Sequence, residues 1–214
     1  MNDTRFEELQ RIAGDVPRET FDLLALFEAR FCEWNRRINL TSGADVRHLW
    51  HRHILDSAQL VPLAPARPIW LDLGSGGGFP GIIAAIILKD TAGAHVHLVE
   101  SNRKKAAFLA SIVAETGIPA KVHACRIEDM QETVPPIRIV TARAVADLNT
   151  LLNLAEPWLG ADAIGLFQKG RDYLQEIKDC RDGWSFDLIE HPSRTDPGGI
   201  ILEIANLRKH VSHS

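Results

Sequence analysis

Five consecutive residues with almost no side-chain volume, Gly74-Ser75-Gly76-Gly77-Gly78, follow an apolar run, Ile69–Leu73, that is interrupted only by Asp72. From Phe79 the chain turns apolar again as far as Lys89, with Pro80 in the first turn, where a missing N–H costs nothing. Glycines let a ligand approach the backbone closely, and a helix start offers it free N–H groups. Strand, glycine turn and helix therefore form a candidate cradle for a small cofactor. Other side chains with chemical potential lie scattered along the chain: Glu100, Cys125, Glu128, Arg143, Lys169 and the histidines 48, 51 and 53.

Two readings of the glycines compete. Gly76-x-Gly78-x-x-Gly81 fits a dinucleotide fingerprint, but that fingerprint should begin directly after the strand. The frame that does so is Gly74-x-Gly76-x-Gly78, preceded by Asp72. It resembles motif I of the S-adenosylmethionine (AdoMet) methyltransferases; AdoMet has no pyrophosphate, so an acid beside the loop is tolerable. No phosphate loop ending in Gly-Lys-Ser/Thr is present. On the glycines alone, a tight turn in some other α/β protein stays open.

The elements that must position this loop follow from periodicity. Residues 5–13 and 17–38 read as helices, the second with Phe21, Leu24, Phe27, Phe31 and Trp34 on one apolar face. A short helix is expected around His53–Leu60, and Pro62, Pro65 and Pro68 mark a boundary before the glycine-loop strand. Further strands are expected at His95–Val99, Lys121–Cys125, Ile137–Val140, Ala163–Gln168, Phe186–Glu190 and Ile200–Ala205. Helices are expected at Asn102–Thr116, stopped by Gly117, and at Leu148–Leu159 and Tyr173–Cys180. Strands alternating with helices give an α/β fold, a mostly parallel seven-stranded sheet with helices on both faces. The expected division is an N-terminal helical extension over 1–66, a catalytic domain over 67–207 and a short tail over 208–214. Ligands then bind beyond the carboxyl ends of the strands. Glu100 would stand at such an end, 26 residues after Gly74, placed to accept hydrogen bonds from ribose hydroxyls or to be an ordinary strand-end carboxylate.

The totals constrain the setting. A 214-residue chain that is 45% hydrophobic and 24% charged is globular, and no apolar run nears the ~20 residues of a membrane helix. The opening MNDTRFEELQ has no leader profile, and three scattered cysteines suggest a reducing compartment, so a cytoplasmic protein is expected. A net charge of −4 argues against indiscriminate nucleic-acid binding. Yet residues 30–53 hold arginines 30, 36, 37, 47 and 52 against Glu33 and Asp45, where residues 1–29 hold seven acids against three bases. A basic stretch in an acidic protein suggests a specific polyanion; the plain alternative is a solvated helix face.

Other constellations read as unremarkable. His48, His51 and His53 have no acidic or thiol ligand at helpful spacing, so no metal is expected. Cys125 lacks the Pro-Cys setting of a cytosine-C5 methylase nucleophile and reads as a small strand-end residue. Val134-Pro135-Pro136-Ile137 precedes the fourth strand, whereas the acidic-Pro-Pro-aromatic motif of exocyclic-amine methylases follows it.

Taken in order, WNRRINLTS, RHILDSAQL, LDLGSGGGFPG, ESNRKKAAFL, TARAVADL and the pair Lys169-Gly170 are specific. Across roughly residues 20–205 the chain resembles the RsmG (GidB) family, bacterial methyltransferases that form 7-methylguanine in small-subunit (16S) ribosomal RNA. The resemblance implies a Rossmann-like class I AdoMet-dependent methyltransferase whose product is S-adenosylhomocysteine, with no metal. It implies cofactor contacts from Gly74, Gly76, Gly78 and Phe79, from Glu100, Ser101 and Asn102 at the ribose, and from Ile127 and Glu128 at the adenine. Arg143 is implied at the mouth where cofactor and RNA meet, as a cofactor contact and the positioning residue of catalysis; an arginine there can hold a phosphate or the AdoMet carboxylate bidentately. Arg36, Arg37, Arg47, Arg52 and Lys169 are the expected RNA contacts. The partner would be 16S rRNA or the small ribosomal subunit, met by a monomer without a membrane. Gly77, where many relatives carry alanine or proline, makes the loop somewhat looser. A methyltransferase of another substrate, small molecule or protein, and a non-catalytic AdoMet-binding regulator are the rival readings.

Overall fold

A computed structural model describes residues 2–41, 46–130, 136–160 and 162–210. Ser42 of WNRRINLTS, Asp45, Val134, Pro135 and residues 211–214 of the expected tail lie outside the described residues. Two helices open the chain, α1 (Asn2–Ala13) and α2 (Arg18–Ile38). The apolar stripe of α2 does what its spacing dictates: Phe21, Leu24, Phe27 and Phe31 are buried, and Trp34 packs 5.6 Å from Phe108. The helix ends at Asn39, whose φ of +52° reverses the chain, and Asn35 Oδ1 accepts the Thr41 N–H at 2.8 Å. That bond accounts for the asparagines of WNRRINLT: they fold Leu40 and Thr41 back toward the sheet.

The short helix expected at His53–Leu60 starts earlier, as a π-turn over Trp50–Leu55 that runs into a helical turn, Asp56–Ala58. Then come β1 (Ile69–Leu73), α3 (Gly81–Ile87), β2 (His95–Val99), α4 (Arg103–Thr116), β3 (Ala120–His123) and β4 (Ile139–Arg143). The chain continues with α5 (Leu148–Ala155), β5 (Ile164–Lys169), α6 (Tyr173–Cys180), β6 (Trp184–Pro192) and β7 (Ile200–Lys209). The seven strands lie in the order β3-β2-β1-β4-β5-β7-β6. The first five are parallel, and β7 runs antiparallel to both neighbours.

Several boundaries differ from the periodicity. The glycine-loop helix begins at Gly81 instead of Phe79, which leaves Phe79 free to turn its ring toward α2. β3 stops at His123, so Cys125 sits in the following loop and not in the strand. β4 runs to Arg143 because β1 and β5 flank it and pair with it as far as Ala142 and Arg143 respectively. β7 extends to Lys209, two residues into the expected tail, by pairing with Trp184 and Ser185 of β6.

Side chains on the two faces of the sheet form two cores. One joins Leu24, Phe27 and Phe31 of α2 to Phe79, Ile82 and Phe108; the other joins Leu71, Leu73 and Val140 to Leu148, Leu152 and Trp184. The N-terminal helices thus have no core separate from that of the sheet. At the tightest point, a Cβ on Gly81 would lie 2.3 Å from Leu98 Cδ2 and 2.6 Å from Asp72 Oδ2. Gly81→Ala is therefore expected to destabilise the protein by about 3 kcal/mol, through overpacking that neither strand can relieve. Chemical unfolding measures this, and an unchanged midpoint would contradict the packing described.

Candidate active site

The carboxyl ends of β1, β2, β4 and β5 open into a cavity of about 1010 Å³. Its floor is the glycine loop. Gly74, Gly76 and Gly78 all have positive φ, at +65°, +55° and +94°, whereas Gly77 does not. The frame that follows the strand directly is thus the one with the glycine-only geometry. Gly74 and Gly76 line the cavity; Gly78 faces inward, with the place of its missing Cβ close to Ile82 and Leu109.

Behind the loop, Asp72 is fully buried. Its Oδ1 accepts the Thr141 hydroxyl at 2.8 Å and its Oδ2 accepts the Gly81 N–H at 3.2 Å, tying β1, β4 and the start of α3 together. Burial pushes its carboxyl up to about 6, against the opposing pull of those hydrogen bonds and the Ser75 hydroxyl. The folded protein therefore holds this proton more tightly than the unfolded chain. Between the ordinary carboxyl range and about pH 6, the group's contribution to stability falls as pH rises.

Glu100, at the end of β2, is 8% exposed and lines the cavity. Its Oε2 accepts the Gly76 N–H at 2.8 Å and its Oε1 accepts the Asn102 N–H at 2.7 Å. Each carboxylate oxygen keeps lone-pair capacity for another donor, so two neighbouring hydroxyls could be held side by side. Asn102 caps α4, its Oδ1 accepting from the Lys104 and Lys105 N–H groups, and Ser101 beside it is exposed. Ile127 is half-buried against the second core and Glu128 is exposed; both lie in the turn after β3, outside the cavity wall.

The opposite wall centres on a residue whose role the spacing does not disclose. Asp56, from the helical turn of RHILDSAQL, points its carboxylate across the β4 and β5 ends. Its Oδ2 accepts Gln168 Nε2 at 2.6 Å and Arg143 Nη1 at 3.4 Å. Its Oδ1 accepts the Thr195 hydroxyl at 2.8 Å and Gln59 Nε2 at 2.7 Å. Gln59, itself buried, accepts the Arg194 N–H at 2.9 Å through Oε1. One carboxylate thus joins the N-terminal helices, the ends of two parallel strands and the β6–β7 connection. Arg143 also reaches the Arg52 carbonyl at 3.3 Å and touches His53 Nδ1, while its Cζ lies 5.1 Å from the Phe79 centroid. His53 stacks on the same ring at 5.1 Å and 30°. The Phe79 ring therefore packs against both the Arg143 guanidinium and the His53 imidazole of this wall.

Arg52 lines the cavity, whereas Arg36, Arg37 and Arg47 are exposed outside it. Lys169, expected as an RNA contact, lines the cavity with its side chain only 8% exposed, and its ammonium donates to the Ala146 carbonyl at 2.8 Å and Glu176 at 2.6 Å. Glu176 also accepts the Leu148 N–H, so the pair fixes the chain between β4 and α5. Among the described residues no His, Cys, Asp and Glu group of three or more has metal-binding geometry. The β2–β3 histidines are mutually close, and burial lowers His97 to about 4.

Comparison with known proteins bears on what this cavity does. The chain is 55% identical to the Ribosomal RNA small subunit methyltransferase G of Chelativorans sp. over 205 residues, 96% of this chain and 98% of that one. It is 53% identical to the protein of that name from Brucella canis, covering 97% of both chains. Among solved structures, cofactor-bound Rv0187 from MTB superposes with a TM-score of 0.60 at 15% identity, over 92% of this chain and 93% of that one. The ribosomal protein L11 methylase of Lactobacillus delbrueckii subsp. bulgaricus gives 0.56 at 20% identity, over 75% and 80%. The latter two likenesses show the class I methyltransferase fold. The GidB family, rRNA small subunit methyltransferase G, matches residues 21–196, and this chain belongs to it.

Proposed function

We propose that this protein transfers a methyl group from AdoMet to N7 of a guanine in 16S ribosomal RNA, as a cytoplasmic monomer acting on the RNA or the small subunit. Identity of 55% and 53% over nearly the whole chain with relatives named Ribosomal RNA small subunit methyltransferase G supports the reading. The cavity supports it: the glycine loop offers backbone within reach, and the pinned Glu100 offers acceptors for a pair of ribose hydroxyls. Gly74, Gly76 and Phe79 would hold the cofactor's amino-acid end, Glu100 and the Ser101–Asn102 turn its ribose, and Ile127 and Glu128 its adenine.

AdoMet, when bound, would supply a methyl group on a cationic sulfur to the in-plane lone pair of N7, with the sulfur leaving as a neutral thioether. Guanine N7 carries no proton at neutral pH, so the chain's residues need only place the base and shield the new ring charge. No cavity-lining group has to remove a proton. Arg143 aligns base and cofactor at the mouth, while Arg36, Arg37, Arg47 and Arg52 meet phosphates. Lys169 serves this work indirectly, by holding the β4–α5 loop. The reading is tested by nucleoside mass spectrometry of small-subunit RNA from cells with and without the protein. An unchanged 7-methylguanine level would defeat it. Single-turnover transfer is also expected to stay flat from about pH 7 to about pH 9, above the range of Asp72. A tenfold rise per pH unit, traced to one side chain, would point instead to a target atom that carries a proton.

A further inference from the structure

Three cations, Arg103, Lys104 and Lys105, occupy the first turn of α4, with no acid among them. Cations oppose the dipole at a helix start, so local helix energetics do not favour them there. The cap that secures this turn is Asn102, which needs none of the three side chains. Arg103 and Lys104 are exposed, and Lys105 lines the cavity.

The packing of α4 against α2 decides what lies beside them. The helices run antiparallel: Arg30 pairs with Glu115 at 2.7 Å, and Trp34 packs on Phe108. At about 1.5 Å per residue, one further turn along each brings Arg36 and Arg37 level with Arg103, Lys104 and Lys105. Leu40 and Thr41, just beyond, line the cavity, so these five cations share its rim.

Within the N-terminal helices the ion pairs are distributed unevenly. Before the last turn of α2, Arg5 pairs with Glu28, Arg18 with Asp3, and Arg30 with Glu33 and Glu115. Arg36, Arg37, Arg103, Lys104 and Lys105 have no acidic partner within ion-pair distance among the described residues. In a chain of net charge −4, Arg18 and Arg30 of α2 are neutralised, whereas the five cations where α2 ends and α4 begins are not.

We propose that the first turn of α4 and the last turn of α2 form one phosphate-binding track for the RNA strand that delivers its base into the cavity. The proposal rests on the RNA substrate proposed above and extends its contacts to Arg103, Lys104 and Lys105. Sequence separation hides the track, since its halves are more than sixty residues apart and only the helix pairing unites them.

The test is the salt dependence of binding to protein-free, unmodified 16S rRNA transcript, comparing the full-length protein with Arg103→Ala/Lys104→Ala. Each phosphate contact contributes a slope of roughly 0.7–0.9 in log K against log salt, so the double variant is expected to lose about 1.5 of slope and about tenfold in affinity at physiological salt. Arg103→Lys, which keeps the charge, should retain the slope. AdoMet affinity by calorimetry should not move, since neither residue lines the cavity. An unchanged slope and affinity would overturn the track while leaving methyl transfer to rRNA intact. Weakened binding to whole small subunits with unchanged binding to the naked transcript would give the surface to a ribosomal protein and overturn the RNA assignment. Loss of 7-methylguanine formation by the wild-type protein is a separate result, and defeats the methyltransferase reading whatever the slope.

Discussion

Asp56→Asn is expected to lower single-turnover methyl transfer by roughly 30- to 100-fold while leaving AdoMet affinity within about threefold. The change keeps the shape and removes the charge. The partners of both carboxylate oxygens are donors or hydroxyls: Gln168 and Arg143 on one side, Gln59, Ser193 and Thr195 on the other. An amide has an oxygen for one side only, and its NH2 then faces either Gln168 and Arg143 or the Gln59 amide. Hydrogen bonds to a charged group contribute about 1.5–3 kcal/mol each, so the loss is enough to release Arg143 from its place. A hundredfold effect corresponds to about 2.7 kcal/mol of lost alignment. Arg143→Ala should itself cost at least about tenfold, with lysine a partial rescue because it lacks the planar fork. If Asp56 acts through Arg143, the double variant is little worse than Arg143→Ala alone. Additive losses would mean that Asp56 serves the reaction independently, and full activity in folded Asp56→Asn would remove it from the site.

The second large effect is expected on the cofactor. Gly76→Val should reduce AdoMet affinity at least about 100-fold. A Cβ at Gly76 meets nothing nearer than the Gly74 carbonyl at 3.7 Å, so the protein itself leaves space for it. That space is the cavity, and a branched side chain would occupy it. The φ of +55° adds strain of about 1–2 kcal/mol for any L side chain, more for a β-branched one. Relaxing to negative φ would redirect the N–H that now meets Glu100, and with it the acceptors offered to the ribose. Gly76→Ala, with a smaller side chain and the same φ, should fall between. Calorimetry on protein of confirmed fold measures both; wild-type affinity in the valine variant would place the cofactor elsewhere.

What the sequence discloses divides along the distance over which its causes act. The glycine frame is legible because positive φ is a local demand, and the α2 stripe because helical period sorts a buried face from a wet one. Glu100 is legible because a strand end fixes where its carboxylate must stand. β4 is placed two to three residues too early, at Ile137–Val140 instead of Ile139–Arg143, because its last residues are held by Asp72 and by β5, neither of which is near in sequence. Asp56 is visible in RHILDSAQL but not its meaning: its donors Arg143, Gln168, Ser193 and Thr195 lie 87, 112, 137 and 139 residues away. Lys169 reads as an RNA contact without its ion pair, because the acid that claims it, Glu176, lies across a turn that no periodicity reveals. Arg103, Lys104 and Lys105 stand in the sequence only as part of ESNRKKAAFL, because their neighbours on α2 lie more than sixty residues away.

The span of the Asp56 hub has a consequence for how the molecule comes into being. A chain emerges from synthesis in order, so α1, α2 and the RHILDSAQL turn exist well before the β6–β7 connection. Until then Asp56 lacks Ser193 and Thr195, and α1 lacks the Arg194 side chain that reaches the Arg11 and Ile12 carbonyls across more than 180 residues. β5, too, waits for β7, which pairs with it from Gly165 to Lys169. Contacts of such separation carry a high loop-closure cost and form late. The wall that holds Arg143 is therefore finished among the last parts of the molecule. A nascent chain can enclose the glycine loop long before it can align anything above it, and competence to methylate arrives with the final hairpin.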